Sequence, residues 1–426
     1  MLSIITGLLL VMILAYFGWS ILWVAPLAVG VVALMSGLNV FDTYTGTYME
    51  GLVGFVVKWF PIFLLGAVFG KLMETTGTAK AVALKVTQLI GKKRAILGVL
   101  IAAAVLTYGG VSLFVVVFAI YPIALELFRE ANVSRRLLVP TFALGAFTFT
   151  MTSMPGTPQI QNLIPMDYFG TTPMAGPIIG VVSSLIMAVG GYFWLHYRQK
   201  QLSKAGEGFT EPSKKLEESG EQVVPNWIIS LIPLAVVVIL LNGFKFEPLY
   251  ALLLGILTIL VLNIRLYKVF IESINEGAKG SVMAILNTSA AVGFGAVIAI
   301  VPAFDTITEW LLGISDNPLV AEAVSVQVMA IITGSASGGM GIALGTLGDT
   351  FASLAQTSGI SAEVFHRIAS VASGASIFPN NGALLTLLAV TGLTHRETYK
   401  DVFMVAFLIP TIALVIGVIM GAIGII

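Results

Sequence analysis

The nine residues Met154–Asn162 (MPGTPQIQN) interrupt a chain that otherwise consists of long apolar segments. They include two prolines, a glycine and three side-chain amides. Proline removes a backbone donor and clashes with the preceding helical turn. Irregular backbone at membrane depth is tolerated only where it is buried in protein or lines a wet cavity. The stretch therefore predicts a broken membrane helix at a binding site.

The composition supports the assignment to a membrane. The chain has 426 residues, of which 57% are hydrophobic and only 10% are charged, whereas about 25% of residues are charged in an average soluble domain. Apolar runs long enough to cross a hydrocarbon core recur along the sequence, which favours helices over a β-barrel. Cysteine is absent, which excludes thiolate chemistry and cysteine metal sites. We therefore predict an all-α polytopic membrane protein.

The apolar segments and the basic residues together predict a topology. The segment 94–129 (the first hairpin) is basic at both ends; it is long enough for two passes, and a re-entrant hairpin is the alternative that we adopt. The second hairpin is predicted at 318–357. Crossings are predicted near residues 2–17, 19–37, 50–72, 135–165, 175–196, 226–243, 248–264, 280–303, 361–391 and 401–425.

Lysine and arginine assign the sides of the membrane. No lysine or arginine lies between Lys279 and Arg367, so the positive-inside rule places that stretch outside. The N- and C-termini are then predicted outside, and the polar linker 198–225 in the cytoplasm. The cytoplasmic basic clusters are Lys71–Arg94, Arg129–Arg136, Arg198–Lys215, Arg265–Lys279 and Arg396–Lys400.

The linker separates two halves, 1–197 and 226–426, which resemble each other. Glu50-Gly51 corresponds to Glu276-Gly277, and the tip of the first hairpin corresponds to Thr333–Gly339. Ser153-Met154-Pro155-Gly156 corresponds to Ile377-Phe378-Pro379-Asn380. Each half has five crossings, including one broken helix, plus a re-entrant hairpin. An odd number of crossings inverts the second copy, as in secondary transporters with inverted repeats.

Two kinds of segment carry the candidate substrate site. The hairpin tips supply glycines, hydroxyls and the N-terminal ends of helices, which attract anions. The breaks Thr152–Asn162 (the first break) and Ser373–Gly382 (the second break) supply amides, hydroxyls and freed carbonyls. The predicted substrate-binding residues are Gly109, Gly110, Ser112, Thr152, Pro155, Thr157, Gln159, Asn162, Ser335, Ser337, Gly338, Ser376, Pro379, Asn380 and Asn381.

Ionisable residues within apolar segments are functional candidates. Asp349 and His366 are predicted to lie deepest and are the candidates for a role in ion coupling. We find no HExxH, Walker A or G-x-S-x-G motif with plausible partners, so we predict neither an enzyme, nor a catalytic residue, nor a bound metal or cofactor, and no nucleic-acid partner. The absence of a nucleotide-binding motif points to transport driven by an ion gradient.

Three runs of residues resemble the gluconate permease (GntP) family of the ion transporter superfamily. They are Thr107–Tyr121 (TYGGVSLFVVVFAIY), Thr148–Pro165 (TFTMTSMPGTPQIQNLIP) and Phe378–Glu397 (FPNNGALLTLLAVTGLTHRE). The resemblance implies proton-driven uptake of small hydroxy-carboxylates. It also implies a homodimer with a fixed scaffold domain and a mobile transport domain that moves as an elevator.

The prediction is therefore a carrier in the cell inner (cytoplasmic) membrane. It imports a small hydroxy-monocarboxylate, such as a gluconate-like sugar acid, glycerate or 3-hydroxybutyrate, by proton symport. Sodium coupling and a passive anion channel are the alternatives, since similar polar loops serve as channel filters.

Overall fold

A computed structural model describes residues 2–17, 19–212, 224–304, 306, 309–310 and 313–426. The described residues are helical and contain no strand, which confirms the all-helical prediction. Part of the predicted linker, residues 213–223, lies outside the description. Within the described ranges, four helical stretches are long and apolar enough to cross a membrane: Val40–Thr75, Pro177–Lys204, Ile264–Ala299 and His395–Ala422.

The described residues of the first half form ten α-helices. The first hairpin is formed by α6 and α7, and the first break separates α8 and the π-helical turns after it from α9. The bounds are α1 Leu2–Tyr16, α2 Ile21–Met35, α3 Val40–Asp42, α4 Met49–Thr75, α5 Thr78–Ile90, α6 Ala95–Tyr108, α7 Leu113–Glu130, α8 Leu138–Phe142, α9 Ile160–Phe169 and α10 Pro177–Lys204. The π-helical turns are Thr43–Tyr48, Ala143–Phe147 and Phe149–Ser153.

The second half has a similar order of elements among its described residues. The second hairpin is formed by α14 and α15, and the second break separates α16 from α17. The bounds are α11 Trp227–Asn242, α12 Pro248–Leu262, α13 Tyr267–Ala299, α14 Pro318–Thr333, α15 Ala336–Thr357, α16 Ala362–Gly374, α17 Gly382–Thr391, α18 His395–Phe403 and α19 Ile409–Ala422.

Two differences from the sequence prediction have a common physical reason. The structure contains α5, which the prediction assigned only to a basic cluster, and α13 begins thirteen residues before the predicted span 280–303. Both added segments are helical although they carry lysines. Hydropathy detects the apolar window that crosses lipid, whereas a helix continues beyond that window as long as its backbone bonds are made.

The long helices α4 and α13 pack closely along each other. A Cβ on Gly51 of α4 would lie 2.7 Å from Ala296 Cβ, and a Cβ on Gly277 of α13 would lie 2.7 Å from Val68 Cα. These two contacts join opposite ends of the helices, so the pair is antiparallel. Small residues let membrane helices approach in this way.

The outer helices show apolar faces suited to lipid. On α10 the exposed apolar residues recur every three or four positions, as expected for one face of a helix. They are Ile178, Val181, Leu185, Val189 and Phe193.

We expect Gly51→Ala to lower the stability of the protein. The added methyl group meets the backbone and Cβ atoms of α13, and overpacking of this kind costs about 1–3 kcal/mol. Gly54 lies one turn further along α4 with no heavy atom within 4 Å of a Cβ, so Gly54→Ala should gain up to about 1 kcal/mol of helix propensity. The apparent unfolding midpoint of both variants in detergent, measured at one scan rate, checks this. Equal midpoints would contradict the close α4–α13 contact.

Candidate substrate site

The two hairpin tips and the two breaks meet at one cavity of about 760 Å³. Helices α4 and α13 form the opposite wall, through residues such as Gly66 and Asn287. Pockets of this size hold small molecules. The predicted site residues that line the cavity are Gly110, Ser112, Gln159, Ser335, Ser337, Asn380 and Asn381.

The N-terminal ends of four helices lie at this cavity. The residues that precede α7, α9, α15 and α17 are Ser112, Gln159, Ser335 and Asn381, and all four line it. Each helix N-terminus presents N–H groups and a partial positive charge. The cavity is therefore suited to an anion although the nearest lysine, Lys71, is paired.

The four N-termini differ in how they are capped. Ser335 Oγ accepts from the Gly338 N–H at 3.1 Å, and Asn381 Oδ1 accepts from the N–H groups of Ala383 and Leu384 at 3.0 and 3.1 Å. Ser112 and Gln159 make no side-chain cap. The first-turn N–H groups of α7 and α9 thus lack a side-chain acceptor from the residue before the helix, although the Asn162 N–H of α9 donates to the Gln159 carbonyl at 2.9 Å.

Each break is fastened to a hairpin by one carboxamide. Gln159 Nε2 donates to the carbonyls of Thr107 and Val111 at 2.7 and 3.3 Å, at the end of α6. Asn380 Nδ2 donates to the carbonyls of Ile331 and Ile332 at 3.0 and 3.2 Å, at the end of α14. Part of each amide is therefore engaged within the protein.

The tips themselves require glycine. Gly110 has φ +94° and Gly334 has φ +63°, a left-handed conformation that side chains other than glycine rarely adopt. A Cβ on Gly334 would also lie 2.5 Å from the Asn380 carbonyl oxygen. Close contact between tip and break therefore depends on glycine.

Two carboxamides that the prediction did not include face the cavity. Gln161 and Asn287 both line it, and within the described part of the chain neither side chain makes a hydrogen bond. Gln161 Oε1 and Asn287 Oδ1 are both inaccessible to solvent. Gln161 belongs to the interrupted stretch Met154–Asn162, and this position could have indicated a role at the site. Asn287 lies within α13, and an amide inside the predicted apolar span 280–303 could have indicated it.

Several predicted substrate residues lie outside the cavity lining. Gly109 packs against Leu234, while Thr157 and Ser376 are fully buried. Ser376 Oγ donates to the Ser373 carbonyl, and no partner of Thr157 Oγ1 is present among the described residues. The complete set outside the lining is Gly109, Thr152, Pro155, Thr157, Asn162, Gly338, Ser376 and Pro379. Their role in binding substrate stays a prediction.

Asn162 belongs to a buried polar network around Arg367. The Arg367 side chain is fully buried in α16 and donates to the carbonyls of Ser153 (3.3 Å), Pro173 (3.1 Å) and Ala175 (2.8 Å from Nε), and to Asn162 Oδ1 (2.8 Å). Asn162 Nδ2 donates in turn to the carbonyls of Thr157 and Pro173, both at 2.9 Å. This network binds the first break to the helix that precedes the second break.

The two coupling candidates occupy different surroundings, and neither lines the cavity. His366 is fully buried; its Nδ1 lies 2.6 Å from Thr171 Oγ1 and its Nε2 lies 3.3 Å from Asn162 Oδ1. Asp349, on α15, is exposed. Both remain predictions.

A charged cluster forms part of the wall between α4 and α13. Lys71 Nζ lies 3.1 Å from Glu276 Oε2 and 3.2 Å from Glu74 Oε1. Lys71 and Glu276 line the cavity, whereas the sequence prediction treated Lys71 only as part of a basic cluster. The two carboxylates offset the charge of the lysine at this edge.

Comparison with known proteins agrees with this arrangement. Residues 1–247 match the profile of the GntP family permeases. The chain belongs to the GntP permease family. It is 39% identical to the uncharacterized transporter YxjC of Bacillus subtilis, over 95% of both chains. It is also 25% identical to an uncharacterized transporter of Haemophilus influenzae, over 75% of both chains. The family and the apolar helices fit a multi-pass membrane protein, and the predicted family resemblance is confirmed.

We expect Arg367→Lys to destabilise the protein. A lysine ammonium on its flexible stem cannot reproduce the planar fork that reaches several carbonyls at once, and a buried unsatisfied acceptor costs about 1–3 kcal/mol. Arg396 is exposed, so Arg396→Lys serves as the control and should change stability by at most about 0.5 kcal/mol. Apparent unfolding midpoints in detergent compare the two. A midpoint for Arg367→Lys equal to that of the wild type would contradict the structural role of this network.

Proposed function

We propose that this permease is a secondary active carrier that imports a small hydroxy-monocarboxylate, such as a gluconate-like sugar acid, glycerate or 3-hydroxybutyrate, by proton symport. The observation that carries the proposal is the combination of helix N-termini and unpartnered carboxamides around one cavity. The helix N-termini suit a carboxylate, and the carboxamides suit hydroxyl groups. Membership of the permease family supports transport rather than catalysis.

In this proposal the carboxylate binds at the N-termini of α7 and α9. Their first-turn N–H groups lack side-chain caps at Ser112 and Gln159, and an oxyanion accepts hydrogen bonds from such groups while it interacts favourably with the helix dipoles. The buried Arg367 donates to backbone carbonyls and does not line the cavity. It therefore has no part in charge recognition in this proposal.

Hydroxyl groups of the substrate bind to the carboxamides. The amide N–H groups of Gln161 and Asn287 make no hydrogen bond within the described part of the chain, so each can donate to a hydroxyl oxygen of the substrate. Ser337, which also lines the cavity, adds a hydroxyl of its own. A ligand that leaves these amides unpaired would bind more weakly, because buried polar groups without partners are unfavourable. Hydroxy-acids are therefore preferred over simple alkanoates.

The proposed transport cycle is of the elevator type, in a homodimer with two inverted repeats. The hairpins and the broken helices form the mobile transport domain. Their mutual hydrogen bonds support this grouping: Gln159 and Asn380 fasten the breaks to the hairpins, Arg367 joins the two broken helices, and Tyr121 Oη donates to the Thr391 carbonyl at 3.3 Å. Helices α1, α2, α4 and α13 belong to the scaffold, so the cavity lies at the boundary of the two domains.

The proposed location is the cell inner (cytoplasmic) membrane, with both termini outside and the central linker in the cytoplasm. The distribution of lysine and arginine supports this orientation.

We expect radiolabelled gluconate, glycerate or 3-hydroxybutyrate to accumulate in proteoliposomes under an imposed pH gradient in sodium-free buffer. An uncoupler should abolish the accumulation. Uptake only with a sodium gradient would identify sodium as the coupling ion. Equilibration without accumulation would identify a passive channel. Failure to transport any of the three acids would contradict the proposed substrate class.

We also expect Asn287→Ala and Gln161→Ala each to weaken uptake of the acid that is transported about tenfold, which corresponds to about 1.4 kcal/mol of binding free energy. Asn263 lies at the end of α12, outside the cavity, with its amide bound to the Ile259 carbonyl. Asn263→Ala is therefore the control and should transport as the wild type does. Uptake at the wild-type level by both Asn287→Ala and Gln161→Ala would contradict the assignment of hydroxyl recognition to Gln161 and Asn287.

A further inference from the structure

Glu322 is a buried carboxyl group that the substrate site does not use. It lies in α14, the first arm of the second hairpin, and its side chain is fully buried. Neither Oε1 nor Oε2 has a hydrogen-bond partner within the described residues. Glu322 is not one of the predicted coupling residues, which are Asp349 and His366.

The helices that pack against α14 bring no partner to Glu322. They are α1, α15, α16 and α19, and neither α1 nor α19 contains a charged residue. Asp349 on α15 is exposed. On α16, Glu363 accepts from the Gly176 N–H at 3.2 Å, and His366 and Arg367 are engaged in the network around the first break. Each ionisable group on these helices thus has another environment.

A carboxylate without a counter-ion or a donor is strongly disfavoured in such surroundings, whereas a neutral carboxylic acid is tolerated far better. Acids buried within membrane proteins are accordingly associated with ion pathways and proton relays. Asp349 differs, because its side chain is exposed at the surface of the protein and is not enclosed by other helices.

Glu322 lies on the same helix as a residue that lines the substrate cavity. Thr333, Gly334 and Ser335 at the C-terminal end of α14 line the cavity, about 16 Å from Glu322 at 1.5 Å per residue. Between them, Gln327 Nε2 donates to the Ala375 carbonyl of the second break at 2.9 Å and to Thr411 Oγ1 of α19 at 2.8 Å. Displacement of the second hairpin therefore moves both the cavity wall and the surroundings of Glu322.

We propose that Glu322 is the residue that carries the coupled proton. This inference rests on the proposed proton symport and names its titrating group. In the conformation described here, the carboxyl is closed off and holds the proton. Movement of the second hairpin hydrates the side chain and releases the proton on the other side. One proton binds the carboxylate to give the acid and later leaves it, so one substrate anion and one proton cross together without net charge.

Infrared difference spectroscopy of the protein in lipid tests the protonation state directly. A protonated carboxylic acid has a carbonyl stretch distinct from the bands of carboxylates and amides. We expect such a band at neutral pH in the wild type and its loss in Glu322→Gln. Glu126, on α7 of the first hairpin, is exposed, so Glu126→Gln is the matched control and should retain the band. A band that persists unchanged in Glu322→Gln would overturn the proposal.

Transport provides the second readout. In proteoliposomes with the acid that the wild type accumulates, Glu322→Gln should retain exchange of labelled for unlabelled substrate and lose accumulation driven by a pH gradient. Glu126→Gln should retain both activities. Accumulation by Glu322→Gln at the wild-type level would overturn the role of Glu322 alone. Failure of the wild type to accumulate any acid under a pH gradient would instead overturn the proposed function, and with it the coupling role.

Discussion

The carbonyl groups that a broken helix frees inside a membrane need donors, because no bulk water is available to them. In this protein Arg367 supplies donors to the Ser153 carbonyl of the first break and to the carbonyls of Pro173 and Ala175 in the connection between α9 and α10. Ser153 ends a π-helical turn, where the helix dipole favours a cation. A side chain of one broken helix thus satisfies backbone carbonyls next to the other.

The carboxamides near the breaks therefore form two groups, those with hydrogen-bond partners in the protein and those without. Asn162 serves Arg367 and the carbonyls around it, and Gln159 and Asn380 serve the ends of hairpin arms. Gln161 and Asn287 lack partners within the described residues and face the cavity. The engaged amides fix the shape of the site, and the unpartnered amides give it the capacity to recognise a ligand. In the proposed function, anion recognition comes from helix N-termini, so the proposed site does not require an unpaired buried cation.

The sequence predicts the architecture better than the roles of single residues. Proline, glycine and amide clusters locate both breaks and both hairpin tips, because few other residues permit such backbone at membrane depth. The roles of neighbouring amides are harder to predict: Gln161 and Asn162 are adjacent on α9, and adjacent helical positions point about 100° apart. Whether a carboxamide meets a carbonyl or a cavity depends on tertiary packing, which the sequence does not display. The same limit applies to Glu322, whose burial depends on how other helices pack against α14.

We propose that a hydroxy-monocarboxylate binds between the hairpin tips and the breaks. An electron cryo-microscopy structure of the protein with the acid that it accumulates would locate the bound ligand. We expect ligand density in the cavity, with the carboxylate at the N-termini of α7 and α9 and hydroxyl groups within hydrogen-bonding distance of Gln161 and Asn287. Ligand density elsewhere in the protein, with this cavity empty, would contradict the proposal.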